Sequence, residues 1–134
     1  MNIISIIPAR GGSTEIPMKN LIKLDNKPLL YYSVTASLNS KYVSKTVVST
    51  DNDKIADYAL SLGAEVVIRP KKISGNRIGM SPAIFHVIDH FRKYENFKPN
   101  VVITLQNTSP FRNSQHIDRA FSIFKKGNYD SVIS

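Results

Sequence analysis

The stretch that decides the fold is Ile3-Ile4-Ser5-Ile6-Ile7-Pro8-Ala9-Arg10-Gly11-Gly12-Ser13, close to the amino terminus. Its first half is almost wholly apolar, which is typical of a strand covered on both faces. Two adjacent glycines then allow the backbone to turn tightly and to bring its N–H groups against a ligand. The stretch therefore predicts a buried strand that ends in an anion-binding turn.

Two cations lie at this turn: Arg10 is part of it, and Lys19 follows shortly after it. Fixed positive charge beside exposed N–H groups suits a nucleoside triphosphate better than a hydrophobic ligand. A glycine pair after a strand is a weak signal by itself, since most such pairs form ordinary turns. The rest of the chain has to support the interpretation.

Apolar runs alternate with helical patterns along the whole chain, which predicts parallel βαβ units. We expect a three-layer α/β sandwich with a mostly parallel, Rossmann-like sheet. The predicted strands are residues 2–7, 45–50, 65–68, 100–105 and 130–133.

The helix boundaries follow from capping and turn residues. Pro28 opens the first helix at its first position, and Ser81-Pro82 starts the third. Asp51 or Asn52 caps the second, and Gly63 closes it. The last helix ends at Gly127.

Three polar turns follow predicted strands: Arg10–Gly12, Ser49–Asp51 and Gln106–Arg112. Ligands of parallel α/β sheets lie outside the carboxyl ends of the strands. We therefore expect the three turns to converge on one crevice.

Composition narrows the function classes. At 134 residues the chain has the size of one domain, with 42% hydrophobic and 21% charged residues. It has no cysteine, which excludes disulfides and thiolate metal sites. The net charge is +8, but the lysines are scattered and no basic stripe alternates with aromatics, so nucleic acid is not expected as a partner. The apolar amino-terminal run is too short for a membrane span, and we expect a cytoplasmic protein that does not bind a membrane.

Several motifs together carry a family resemblance. Arg10–Ser13 with Pro17, Lys19 and Asn20 resembles the phosphate loop of the CMP-sialic acid synthetase (acylneuraminate cytidylyltransferase) family. Later motifs match in order: Ser49-Thr50-Asp51, Gly63-Ala64-Glu65-Val66 with Arg69-Pro70, and Gln106-x-Thr108-Ser109-Pro110-x-Arg112. The resemblance implies a fold of the nucleotide-diphospho-sugar transferase type, with residues 1–134 as a single nucleotidyltransferase domain. Because the chain stops at Asp130–Ser134, inside a predicted strand, we expect a C-terminally truncated domain.

The resemblance also implies a reaction, in which the anomeric hydroxyl of a sialic-acid-type sugar attacks the α-phosphate of CTP and pyrophosphate leaves. It implies Mg²⁺, with ligands beyond residue 134, and a homodimer. Arg10 and Lys19 would be the catalytic cations. The nucleotide would be held by Arg10, Gly11, Gly12, Ser13, Asn20 and Gln106. The sugar acid would be held by Arg69, Gln106, Thr108, Ser109 and Arg112.

Structural alternatives stand beside these roles. Asp51 at a strand end suits a metal or a ribose, but we favour it as the N-cap of the following helix. Lys19 could be a solvated loop lysine, and Arg69 and Arg112 could be surface arginines that pair with a helix. His86, one turn from His90, matches a histidine of the family and is interpreted as structural or as the edge of the sugar pocket.

The chain departs from the family at charged positions. The loop has Thr14, Glu15 and Met18 where relatives carry lysine, glycine and arginine, and Asn76 and Pro82 replace aspartates. Loss of one well-placed electrostatic group commonly lowers a rate by about 10²–10³. Two alternatives to a cytidylyltransferase therefore stay open: a non-catalytic nucleotide- or sugar-binding remnant, and a nucleotidyltransferase with altered sugar specificity.

Overall fold

The computed structural model describes residues 1–12, 18–70, 72, 80–106 and 113–127. Its elements alternate between strand and helix for most of the described chain. In order they are β1 (Ile3–Pro8), a 3-10 turn (Lys19–Leu21), β2 (Lys23–Leu24), β3 (Lys27–Pro28), α1 (Leu29–Leu38), β4 (Lys45–Thr50), α2 (Asp53–Leu62), β5 (Glu65–Ile68), α3 (Met80–Tyr94), β6 (Val101–Thr104) and α4 (Ser114–Gly127).

The main sheet contains four of the described strands, in the order β5-β4-β1-β6, and every neighbouring pair is parallel. In the register, Ile6 of β1 lies between Val47 of β4 and Thr104 of β6. From β1 the chain first adds strands on one side, β4 and then β5, and afterwards crosses to add β6 on the other. The order of the strands therefore reverses between β1 and β6.

Helices cover both faces of this sheet, and each face has its own core cluster. The cluster that contains residues of α1, α2 and α4 includes Ile7, Val34, Val48, Ile55 and Ile117. The cluster on the opposite face includes Ile4, Ile6, Val47, Val87 and Phe91, the last two from α3. Successive residues of β1 thus enter opposite clusters, as the alternation of side chains along a strand requires. The result is the predicted three-layer sandwich.

The predicted elements are confirmed within one or two residues where the structure describes them. Gly63 ends α2 with a φ of 100°, a conformation that glycine adopts without strain. Pro28 is the residue before α1 and not its first position, because it still pairs with Lys23 in extended conformation. The strand predicted at 130–133 lies outside the described residues.

Sequence reasoning missed the small hairpin of β2 and β3. Its two-residue turn is Asp25-Asn26, with φ values of 54° and 70°. Positive φ at both central positions is typical of a type I′ turn, which the right-handed twist of paired strands favours. The Asp-Asn pair between Leu24 and Lys27 was the available signal.

Candidate functional site

The site lies at the carboxyl ends of β1 and β6, where the strand order reverses. In open α/β sheets the crevice at such a reversal is the usual place for a ligand. The chain leaves β1 through Arg10–Gly12 and leaves β6 through Gln106, which is exposed. Neighbouring strands end together here, since the Leu105 N–H donates to the Ile6 carbonyl at 3.0 Å. The turn at Arg10–Gly12 and Gln106, the first residue of the predicted turn Gln106–Arg112, therefore lie at one edge, and residues 107–112 lie outside the described residues.

The third turn, Ser49–Asp51, meets the same edge from β4. The Ala9 N–H donates to the Ser49 carbonyl at 2.8 Å, which continues the pairing of β1 with β4 past the end of β1. The Arg69 N–H donates to the Thr50 carbonyl at 2.8 Å and continues the next pair in the same way. The ends of β1, β4 and β5 are thereby tied together just below the turn at Arg10–Gly12.

The turn after β1 begins a loop that returns to its own start. The Met18 N–H donates to the Gly11 carbonyl at 3.2 Å, so the two ends of the loop are hydrogen-bonded to each other. The Asn20 side chain adds a second tie, because its Nδ2 donates to the Arg10 carbonyl at 3.0 Å. Met18 adopts a left-handed conformation, with φ 56° and ψ 35°, and packs against the core cluster of α1. Asn20 and Met18 therefore fix the base of the loop.

Gly11 is held by the junction between β4 and α2. Its N–H donates to Asp51 Oδ1 at 2.8 Å. A Cβ built on Gly11 would lie 2.8 Å from the Cβ of Asn52, a distance that real Cβ atoms do not reach. For Gly12, by contrast, no atom of the described residues beyond its chain neighbours lies within 4 Å of the position of a Cβ. Close packing against Asn52 therefore requires the first glycine.

The interpretation of Asp51 as the N-cap of α2 is wrong. Asn52 is the cap, because its Oδ1 accepts the N–H groups of Lys54 and Ile55 at 2.9 and 3.1 Å. Asp51 stands one residue too early for this role and turns its carboxylate toward Gly11. The sequence offered both residues as caps, and only the geometry separates them.

Arg69 is buried, with 7% of its surface exposed, so it is not a surface arginine. Its Nε donates to the Ser49 hydroxyl at 3.2 Å, and its Nη2 donates to the Ser49 carbonyl at 2.9 Å. Burial lowers the pKa of the guanidinium, the charge of Asp51 opposes this shift, and the charge of Arg10 adds to it. Asp51 and Arg10 thus both lie close enough to Arg69 to affect its pKa. The three residues place two cations and one anion at the edge of the site.

His86 lies on the α3 side of the same region. Burial lowers its pKa, and electrostatic interactions with His90, Arg69 and Lys72 act in the same direction, while Asp89 opposes them. Its Nδ1 is buried, and no hydrogen-bond partner is found for it among the described residues. The lowered pKa favours the neutral imidazole, which fits the interpretation of His86 as a structural residue or as a residue at the edge of a pocket.

The other predicted site residues divide into two groups. Lys19 and Asn20 belong to the short 3-10 turn after the loop and are half-buried. Ser13 of the loop lies outside the described residues, as do Thr14 and Glu15, at which the loop departs from the resembled family. So do Thr108, Ser109 and Arg112 of the turn after β6. Six predicted residues lie around the ends of the central strands: Arg10, Gly11, Gly12, Asn20, Arg69 and Gln106. Asp51 and Asn52 lie there too, and the sequence did not indicate their contacts with the loop.

Neither a metal cluster nor a membrane-spanning helix appears in the part of the chain that is described. No three histidine, aspartate or glutamate side chains within it gather as ligands for a metal ion. Asp51 is a carboxylate at the described end of the loop, and it accepts the Gly11 N–H. None of the described helices is long and apolar enough to cross a bilayer.

Comparison with known proteins decides the family. A family model described as cytidylyltransferase matches residues 4–134. The chain belongs to the cytidylyltransferase family. It is 37% identical over 133 residues to an N-acylneuraminate cytidylyltransferase of Escherichia coli O18:K1:H7 (strain RS218 / NMEC), covering 98% of this chain and 30% of that protein. It is 36% identical over 126 residues to a CMP-N,N'-diacetyllegionaminic acid synthase of Legionella pneumophila subsp. pneumophila, covering 93% of this chain and 54% of that protein.

Solved structures of cytidylyltransferases share the fold. A CMP:2-keto-3-deoxy-manno-octonic acid synthetase complexed with CTP superposes with a TM-score of 0.75 at 18% identity, over 96% of this chain and 49% of that one. A cytidylyltransferase from Leptospira borgpetersenii superposes with a TM-score of 0.70 at 22% identity, over 94% and 50%. This cytidylyltransferase-family chain therefore spans about a third to a half of the relatives that it matches.

Proposed function

We propose that the chain binds CTP and serves the transfer of CMP to a sialic-acid-type sugar, with release of pyrophosphate. The observation that carries the proposal is the position of the Arg10–Gly12 turn, at the reversal of strand order between β1 and β6. The proposal draws further support from relatives whose names specify acylneuraminate and legionaminic acid as substrates.

The chemistry needs little covalent participation by the protein. The anomeric hydroxyl oxygen of the sugar forms a bond to the α-phosphorus, the bond from that phosphorus to the bridging oxygen breaks, and the hydroxyl proton passes to solvent. Such a transfer depends on alignment of the nucleophile and on neutralisation of charge. In the proposal, Arg10 and Lys19 act on the phosphates as the catalytic cations. Mg²⁺ remains a prediction from the family, and no step is assigned through it.

In this proposal only some of the loop N–H groups bind the phosphates. Because the Gly11 N–H is already engaged by Asp51, the phosphates would be bound by the N–H groups of Gly12 and Ser13. Asn20 and Gln106 would contact the nucleoside, and Gln106 can both donate and accept hydrogen bonds. Arg69, with Thr108, Ser109 and Arg112, would face the sugar acid. A homodimer and a cytoplasmic location also stay predictions.

A second candidate function is nucleotide binding without catalysis. It is favoured by Thr14 and Glu15, which stand where the resembled loop has lysine and glycine. Glu15 adds a negative charge close to a triphosphate, and Thr14 removes a cation from the place where charge develops as pyrophosphate departs. Both candidates predict CTP binding, and they differ in turnover.

Two measurements test the proposal in sequence. A thermal-shift titration with CTP should raise the melting temperature, since a ligand that binds the native state stabilises it, and ATP should have a smaller effect. Arg10→Ala should abolish the CTP shift, while Arg92→Ala, which removes the same charge from an exposed site on α3, should keep it. Absence of any CTP shift in the wild-type protein would contradict both candidates. Pyrophosphate release with CTP, sialic acid and Mg²⁺ then separates the enzyme from the remnant.

A further inference from the structure

The described end of the loop touches the β4–α2 junction at two points. One is the hydrogen bond of 2.8 Å from the Gly11 N–H to Asp51 Oδ1. The other is the close approach of Gly11 to the Asn52 side chain, which leaves no room for a Cβ. Both contacts join parts of the chain some forty residues apart, so they decide how the loop leaves the sheet.

The side chains of the junction are themselves held in place. Asn52 is fixed as the cap of α2 through two backbone N–H groups, and its own N–H donates to the Thr50 hydroxyl at 3.2 Å. Asp51 lies between this cap and the end of β4, whose pairing continues through the Arg69 N–H. The carboxylate of Asp51 therefore projects from a backbone with little freedom to move.

An anion at this point is unexpected in a site for a triphosphate. A carboxylate repels phosphate, and a role in phosphate binding would require it to leave the Gly11 N–H or to meet a cation. Its position instead suits a restraint on the loop. The hydrogen bond from an amide to a carboxylate is among the stronger ones in proteins, and it fixes the direction of the peptide that carries the N–H.

We propose that Asp51 is a positioning residue of the nucleotide site, whose carboxylate holds the Gly11 N–H and so directs the N–H of Gly12 toward the phosphates. The inference rests on the proposed function, because it assigns the held loop a role in binding CTP. Asp51 does not touch the nucleotide in this arrangement. It acts through Gly11, whose N–H its carboxylate accepts.

The test compares three variants of the 134-residue chain for CTP affinity by calorimetry. Asp51→Ala, which removes the acceptor, should weaken CTP binding by about tenfold or more, the usual effect of losing a charged hydrogen bond. Asp51→Asn keeps an acceptor oxygen at the same place and should restore affinity to within about threefold of the wild type. Asp53→Ala removes the same charge from the exposed first residue of α2 and should leave affinity unchanged.

If Asp51 only stabilised the fold, any loss of CTP affinity in Asp51→Ala or Asp51→Asn would be accompanied by a matching fall in the melting temperature of that variant without ligand. A positioning role predicts a loss of affinity in Asp51→Ala that its melting temperature does not account for. Wild-type affinity in Asp51→Ala, tighter binding in it, or equal weakening in Asp51→Asn would overturn the inference. If the wild-type protein itself fails to bind CTP, the proposed function is wrong. Hydrogen exchange at the Gly11 amide then tests separately whether Asp51 restrains the loop. Protection in the wild type and faster exchange in Asp51→Ala support the restraint, whereas equal exchange rates overturn it.

Discussion

Arg69 holds Ser49 at two atoms, with its Nε 3.2 Å from the hydroxyl oxygen and its Nη2 2.9 Å from the carbonyl oxygen. Ser49 lies near the end of β4, Arg69 directly follows the end of β5, and both are buried. A guanidinium presents several N–H groups in a fixed plane, so one side chain can bind a hydroxyl and a carbonyl together. This bridge lies at the edge of the candidate site and supports the strand end from which Asp51 projects.

Arg69→Lys should lower the free energy of unfolding by about 1–3 kcal/mol, because an ammonium group cannot reproduce the planar pair of donors and leaves one buried oxygen less well bonded. Urea denaturation measures the change. Arg92→Lys, the same substitution at an exposed position of α3, should change it by less than about 0.5 kcal/mol. Equal stability of Arg69→Lys and the wild type would contradict the importance of the bridge.

Much of the fold could be predicted from the sequence because its signals are local and strong. The apolar run of β1 and the glycine at position 63 each specify one conformation with little help from the rest of the chain. Apolar periodicity and turn residues predict the helices, and the packing of the helices against the sheet favours the same conformation. Pro28 shows the limit, since a residue suited to begin a helix was also used to end a hairpin.

The candidate site was predicted less completely, because its organisation depends on contacts between distant segments. Sequence indicated that Arg10–Gly12 and Asp51 would approach each other, since both follow parallel strands. It could not indicate that the Asp51 carboxylate accepts the Gly11 N–H while Asn52 caps α2. Aspartate and asparagine cap helices about equally well, so propensity does not choose between adjacent candidates. The burial of Arg69 was also hidden, since arginine is usually exposed.

Two buried serines should respond oppositely to the same substitution. Ser5, at the centre of β1, is fully buried, and within the described part of the chain its hydroxyl has no hydrogen-bond partner. Ser37 of α1 shares a buried hydrogen bond of 2.6 Å with Thr46 of β4. Ser5→Ala should therefore keep or raise the free energy of unfolding, by up to about 1 kcal/mol, whereas Ser37→Ala should lower it by about 1–2 kcal/mol. Chemical denaturation of the two variants provides the comparison, and a loss on Ser5→Ala as large as that on Ser37→Ala would refute it.

Stability should depend on pH through His86. Burial lowers its pKa in the folded protein below the ordinary value of 6.5. As the pH falls below that value, the unfolded chain takes up the proton more readily than the folded one, so the free energy of unfolding decreases. Above it both states are neutral at this residue, and the effect vanishes.

The His86→Gln variant should show a smaller loss of melting temperature than the wild type between about pH 7.5 and about pH 5.5, the range in which histidine titrates. Glutamine keeps a polar side chain but does not ionise. The same pH dependence in both proteins would show that His86 does not contribute.

The final prediction concerns the fit of Gly11 against Asn52. The three atoms nearest to a Cβ on Gly11 all belong to the Asn52 side chain, at 2.8, 2.9 and 3.1 Å. Gly11→Ala should therefore destabilise the protein by about 1–3 kcal/mol through overpacking. Gly12→Ala, which meets no atom of the described residues at the corresponding point, should change stability by less than about 0.5 kcal/mol.

A second substitution tests whether the clash is the cause. Asn52→Gly removes all three contacting atoms, and glycine at an N-cap costs only a few tenths of a kcal/mol. The double variant Gly11→Ala/Asn52→Gly should consequently be more stable than Gly11→Ala alone, an interaction that a double-mutant cycle of urea denaturation would measure. Strictly additive effects would mean that the glycine is required for another reason. The double variant should also keep the hydrogen bond from the N–H of residue 11 to the Asp51 carboxylate, since neither substitution removes the donor or the acceptor.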